Sequence, residues 1–305
     1  LPMAILTVFA AGTAILTPAP LVSRRGVSIA AASASLLPSL LPLHTALADP
    51  PRTSLTDRSG NYVVDIQKAA AGLEDPLAEP EGAFSTISAA LAVAPAGSTV
   101  LVRAGTYTER VFVTRPGIQL LAEPGAVVAW RSDKPYEAAL TVDLSEAASG
   151  GSVTISGLTV RHSSPSIAQN YAVYVPPPSR AASATKVELR DLDVSSSSGS
   201  GLGVEGGDVT LLSSKVHDCR NHGLVFLGPS ARGAVRGCEL AKNKLNGVLL
   251  RDGASPAIEG SRLVNNGAYG ASLIDCRGSL AAGNEIRGNG KGGVSGECDD
   301  GDDAE

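Results

Sequence analysis

An asparagine followed four residues later by a glycine returns at a fixed step near the end of this chain. Asn243 stands with Gly247 in "AKNKLNGVLL", Asn266 with Gly270, and Asn289 with Gly293, at steps of 23 residues. Six apolar segments keep the same beat: "ISGLTV" (155–160), "LRDLDV" (189–194), "LLSSKV" (211–216), "VRGCEL" (235–240), "IEGSRL" (258–263) and "AAGNEI" (281–286). Each reads apolar, any, small or Asp, any, any, apolar. Their starts lie 34, 22, 24, 23 and 23 residues apart. A period in the twenties marks a solenoid, whose single units cannot bury their own apolar side and must stack.

Two solenoids compete. A leucine-rich repeat needs apolar residues around its asparagine, but here Cys238, Ser261 and Asn284 stand two places before the closing apolar residue. After each glycine the apolar residues alternate instead: Leu224 and Phe226, Val248 and Leu250, Ala271 and Leu273. Alternation is strand geometry. The fold class expected is therefore an all-β solenoid, a right-handed parallel β-helix of about nine coils. Coils about 4.8 Å apart stack equivalent residues directly. Asparagine amides, each both donor and acceptor, can then bond along a column. The glycines are expected to supply positive φ and close backbone approach, and Cys219 takes the asparagine position one coil earlier. A second column, Asp193, Lys215, Glu239, Arg262 and Glu285, alternates in sign as cross-strand pairing favours.

Residues 1–48 contain no acid. Two apolar stretches flank Arg24 and Arg25, and "ALA" (46–48) precedes "DPP". That layout is a twin-arginine export presequence with cleavage after Ala48. Pro18, Pro20, Pro38 and Pro42 interrupt the apolar stretches and argue against membrane spans. The acid-free extension before the arginines is similar to a bipartite plastid presequence. The expected location is the thylakoid lumen, with the bacterial periplasm or secretion as the alternative. The chain opens at Leu1, so its true N-terminus is expected upstream. Residues 49–83 form a lead-in, 84–296 the β-helix and 297–305 an acidic tail.

Within 84–94, "FSTISAALAVA" puts Phe84, Ile87 and Leu91 on one helical face, and "PAG" stops the helix. A short helix there would cap the first coil and cover its open sheet edge. The run from this helix through "PAGSTVLV" and "GTYTE" to "PGAVV" closely resembles the entry of pectin-lyase-like β-helix proteins. The later coils resemble the carbohydrate-binding and sugar-hydrolase repeat domain, which occurs in periplasmic copper-enzyme accessory proteins and F-box-only proteins. That resemblance implies a fold more firmly than an activity, because one fold hosts many functions. The enzymes of the superfamily bring recognisable acids. An Asp-bearing strand with a downstream Arg-Pro-Trp, an Asp-Asp pair with Gly-His-Gly, and an Asp-Pro-His-Asp run are all missing here.

Three features remain as candidates for chemistry. The turn "HDCRNHG" (217–223) gathers His217, Asp218, Arg220 and His222, a set that could do acid–base work on a uronate. His217, Cys219 and His222 could instead hold a soft metal. The longest interval leaves extra residues within 162–183, read as a loop in which Tyr171 and Tyr174 could stack on sugar rings. Cys276 and Cys298, nearly one coil apart, fall within disulfide range, and Cys219–Cys238 is the less favoured pair.

Charge divides the chain. Residues 211–291 hold 11 basic and 6 acidic side chains, and 49–210 hold 12 and 18. A basic coil attracts acidic polysaccharide. The tail's "DDGDD" offers weak calcium ligands without a true loop signature, and its charge guards the last coil against edge pairing. No other cofactor is expected. The expected role is a monomer that binds carbohydrate or a protein partner along one solenoid face without catalysis, with no nucleic acid and no membrane after processing. The alternatives are a lyase, hydrolase or epimerase on acidic polysaccharide, and a protein-interaction scaffold.

Overall fold

A computed structural model describes residues 56–57, 59–67, 83–145, 151–165, 170–178 and 185–299. The presequence and its cleavage point after Ala48 lie outside these residues, as do 300–305 of the acidic tail.

The described chain winds into three parallel sheets, one of ten strands and two of eight. The first sheet runs through Thr99–Val102, Gln119–Ala122, Gly151–Ser156, Thr185–Arg190, Gly207–Leu212, Ala231–Arg236, Ser255–Glu259 and Ser279–Leu280. The second runs through Gly105–Tyr107, Ala126–Arg131, Thr159–Ser163, Asp193–Ser196, Lys215–His217, Glu239–Ala241, Arg262–Val264 and Glu285–Arg287. The third runs through Val111–Val113, Leu140–Val142, Tyr171–Val175, Ser200–Val204, Leu224–Leu227, Val248–Arg251, Tyr269–Ile274 and Gly292–Ser295. Eight coils visit the three sheets in that order. Tyr62–Val64 and Ala83–Phe84 extend the first sheet before them, so the solenoid already begins within the segment read as a lead-in.

The helix α1 spans Ile87–Val93, capped by the Thr86 hydroxyl, and buries Ile87, Ala90 and Leu91. Phe84 is not on its face; it belongs to the edge strand and sits 6.3 Å, centre to centre, from the Tyr62 ring. The "GTYTE" segment explains itself here. The Glu109 carboxylate accepts from the Ile87 and Ser88 backbone N–H groups (2.7 and 2.9 Å), placing an anion at the helix N-terminus. Arg115 donates to the carbonyls of Ala94 and Ala92 at the other end (2.9 and 3.0 Å).

Stacking in register fills the interior. Val173, Leu202, Leu224, Val248 and Ala271 form one inward column of the third sheet and are all buried. Each fully buried Val or Leu stabilises the fold by roughly 1.5–3 kcal/mol. The asparagine column does bond along the axis. The Asn243 Nδ2 donates to the Asn266 Oδ1, and Asn266 Nδ2 donates to Asn289 Oδ1 (3.0 Å each). The Cys219 N–H caps the column on the Asn243 Oδ1 (3.1 Å). The later part of the charge column pairs, Arg262 bridging Glu239 and Glu285 (2.7 and 2.8 Å) on neighbouring coils, whereas Asp193 meets Arg161 and His217 and not Lys215.

The glycines act differently from the expectation. Gly247, Gly270 and Gly293 are not among the positive-φ residues. A Cβ on Gly247 would stand 2.7 Å from the Gly270 carbonyl and 2.9 Å from Asn266 Nδ2, so close approach alone demands glycine there. Left-handed backbone belongs to the corners instead. Gly157, Asp191, Ser213, Gly237 and Gly260 turn the first sheet into the second, at the position written as small or Asp in the repeat. Asp218, Lys242, Asn265 and Gly288 turn out of the second.

Candidate ligand-binding groove

Outward residues of a parallel stack line up as the inward ones do. On the third sheet Tyr174, Gly203, Val225, Leu249 and Ser272 share one outward column. A groove of about 460 Å³ opens over this column. Val225 and Leu249 form its floor; Tyr171 and Ser200 close one end; Asn221, His222 and Leu245 make one wall, and Leu227, Arg251 and Asp252 the other.

The residues of "HDCRNHG" do not converge. The turn crosses a corner, so successive side chains leave in different directions. His217 stays on the second sheet, its Nε2 facing the Asp193 carboxylate (3.1 Å) and its Nδ1 the Asp218 carboxylate (2.6 Å). Burial pulls Asp193 upward, but the hydrogen bonds of Arg161 and His217 outweigh it and hold its carboxyl below the usual range. Cys219 points into the core, and burial pushes its thiol up to about 12. Arg220 is exposed on the turn. Of the four candidate residues only His222 enters the groove, with Asn221 beside it. Among the described residues no three His, Cys, Asp or Glu side chains are placed to hold a metal ion. The calcium reading of "DDGDD" falls almost wholly outside the described residues.

His222 is neutral in this setting. Burial drives its imidazole down to about 4, and the Asn246 backbone N–H donates to Nδ1 (3.4 Å), leaving the proton on Nε2. An imidazole of that acidity is a weak general base at neutral pH and a serviceable hydrogen-bond donor.

Tyr171 and Tyr174 are not on a loop. They begin and continue a third-sheet strand, and the extra residues of that interval fall on either side of it. Tyr171 is only 6 % exposed, too buried to offer a sugar its ring face. Its ring lies over Gly203, where a Cβ would come within 2.4 Å of it. The Tyr174 ring stacks on it at 5.4 Å, and both hydroxyls donate to the Glu205 carboxylate (2.9 Å from Tyr174, 3.4 Å from Tyr171). Burial, reinforced by Glu205, raises both phenols far above their ordinary range, so they remain donors.

Sequence reasoning missed Tyr136, which is 63 % exposed with φ 59°. A bulky side chain in the left-handed region costs about 1–2 kcal/mol, a strain that collects at functional sites. It also missed Leu249 and Arg251. Aligning the strands after each glycine would have placed Leu249 in the outward column with Tyr174.

Cys276 and Cys298 form a disulfide with Cα atoms 4.6 Å apart, tying the last coil to the one before; Cys219 and Cys238 are free and buried.

A family described as the right handed beta helix region matches residues 145–300. No curated protein matches the chain. Solved structures similar to it include pectin methylesterases. That from Yersinia enterocolitica is 15% identical at a TM-score of 0.38, over 66% of this chain and 80% of that one. PemA from Erwinia chrysanthemi is 14% identical at 0.37, over 69% and 89%. A pectin methylesterase mutant in complex with a hexasaccharide is 14% identical at 0.40, over 64% and 77%. Likeness at that level says nothing of this chain's chemistry. The family match spans more than half of the sequence and coincides with the stacked three-sheet coils, so the chain belongs to the right-handed β-helix family.

Proposed function

We propose that the third-sheet groove binds an acidic polysaccharide laid along the solenoid axis, without catalysing its cleavage. One observation carries this reading. The turns 219–223 and 242–247, which give the groove Asn221, His222 and Leu245, and the turns 265–270 and 288–293 that continue their stack contain no acid and carry Arg220, Lys242, Lys244 and Lys291. None of these cations has an acid partner among the described residues, whereas Arg161, Arg236, Arg251, Arg262 and Arg287 all do. Backbone bonds from Lys244, Leu245, Ala268 and Lys291 to the preceding coils hold the turns in one ridge. A cationic ridge beside an apolar floor suits sugar rings bearing carboxylates or sulfates.

The neutral His222 and the engagement of Asp252 by Arg251 (3.0 Å) and of Glu205 by two phenols favour binding over acid–base chemistry. The full chain is expected to bind uronate or sulfated glycans more tightly than neutral ones, with affinity falling as salt rises. The double variant Lys242→Glu, Lys244→Glu is expected to weaken binding by roughly tenfold or more. New reducing ends or unsaturated products would revive the enzymatic alternative. Binding to no glycan, or binding unaffected by salt, would overturn the reading and favour a protein-interaction scaffold.

Export to the thylakoid lumen, or failing that the periplasm, is part of the same proposal. The Cys276–Cys298 bond suits an oxidising compartment. N-terminal sequencing of the mature protein is expected to begin at Asp49.

A further inference from the structure

We infer that Tyr136 and Tyr174, backed by Tyr171 and the Glu205 carboxylate, form a recognition site for a small alkylated ammonium group, next to the groove, with which it shares only Tyr171, and independent of the glycan reading.

A separate cavity of about 140 Å³ is lined by Tyr136, Ala138, Tyr171 and Tyr174. It has less than a third of the groove's volume of about 460 Å³. Three of its four lining residues are phenols; Tyr171 is buried beneath the stacked Tyr174 ring, so Tyr136 and Tyr174 supply the negative ring faces that attract a cation. Behind two of them stands Glu205, half-buried, with no cationic partner among the described residues. A carboxylate that accepts from a phenol hydroxyl leaves the ring richer in electrons, and its own charge remains uncompensated.

The arrangement discriminates among cations. Each Glu205 oxygen already accepts from a phenol, so the site offers charge and ring faces more than open acceptors for N–H groups. That suits a methylated ammonium, which has a diffuse charge and few or no N–H donors, better than a primary amine. Tyr136 completes the site from a left-handed backbone position, highly exposed, as a fixed outer wall.

Titration of the full chain with choline, followed by tyrosine ring NMR signals, tests this. Choline is expected to give a saturable shift, with its neutral tert-butyl isostere and ethanolamine each binding about tenfold more weakly. Tyr136→Ala, at an exposed position that leaves the core intact, is expected to weaken choline about tenfold, while Tyr136→Phe keeps it within about twofold. Glu205→Gln is expected to weaken choline several-fold while the isostere is unchanged. A peptide carrying trimethyl-lysine is the second arm; saturation by either probe supports the site, and the tighter one names the source. Equal binding of the isostere, no saturable shift with either probe, or a Tyr136→Ala variant with native near-ultraviolet dichroism and unchanged affinity would overturn it. Tyr136 lines only this cavity, and Lys242 and Lys244 take no part in it, so the variants used let this site and the glycan groove fail separately.

Discussion

Asn266→Ala is expected to destabilise the protein by about 3 kcal/mol. The side chain is 2 % exposed. Its Oδ1 accepts from the Asn243 backbone N–H and from Asn243 Nδ2 (3.1 and 3.0 Å). Its Nδ2 donates to the Leu240 carbonyl and to Asn289 Oδ1 (3.0 Å each). Truncation therefore strands two donors of Asn243 in a place that water does not reach, and each buried unsatisfied group costs about 1–3 kcal/mol. The Gly247 carbonyl does not relieve them, because it already accepts from the Leu224 backbone N–H (2.9 Å). The loss belongs to the coil as well as to the whole, since repeat stability is a sum of nearest-neighbour terms. Hydrogen exchange in Glu239–Ala241 and Arg262–Val264 is expected to accelerate before that in the first coils. Denaturant titration of Asn266→Ala, with the half-buried ladder end Asn289→Ala as comparison, checks it. A loss below about 1 kcal/mol at Asn266 would mean that the ladder fixes register without adding stability.

The asparagine ladder and the charge column were legible in the sequence because stacking converts a spacing of 22 to 24 residues into direct contact. The corners were legible too, as the small-or-Asp position, although their reason lies in the left-handed backbone of Asp191, Ser213 and Gly237. Phe84 was misread because "FSTISAALAVA" has helical spacing from its first residue, while the strand Tyr62–Val64 offers that residue backbone partners and wins it. The site was read less well, for a topological reason. His217 and His222 are close in the chain, yet a solenoid corner lies between them and sends them to different faces. The groove is assembled from residues a whole coil apart, such as Val225 and Leu249, which no local motif joins. Tyr136 had no periodic signal at all, since it sits outside the strands in the connection between Ala126–Arg131 and Leu140–Val142.

Acid is expected to weaken the fold through His222 and, at the same time, to strengthen its grip on an anionic ligand. In the unfolded chain the imidazole titrates near 6.5, and in the groove near 4. Between those values the unfolded state holds more protons. The stability that comes from keeping His222 neutral is therefore complete above about pH 6.5 and is lost as pH falls toward 4. Its size is on the order of 2–3 kcal/mol, the lower end allowing for the groove's access to solvent. His162, buried between the Ser196 hydroxyl and the Glu137 carbonyl (2.9 and 2.8 Å) and also lowered by burial, adds a loss of the same sign. Carboxylates titrate in the same window, so the informative quantity is the difference between two proteins. Denaturation of the wild type and of His222→Gln at pH 7.5 and 4.5 is expected to show a pH loss about 2 kcal/mol smaller in the variant. An equal loss in both would place the imidazole in water in the folded protein. A bound polyanion changes the balance, because its charge stabilises an imidazolium at His222. The rise in melting temperature that an acidic glycan produces is then expected to be larger at pH 5 than at pH 7.5, and to lose that increment in His222→Gln. A neutral glycan has no charge to offer the imidazolium, so any stabilisation it gives would be no larger in acid.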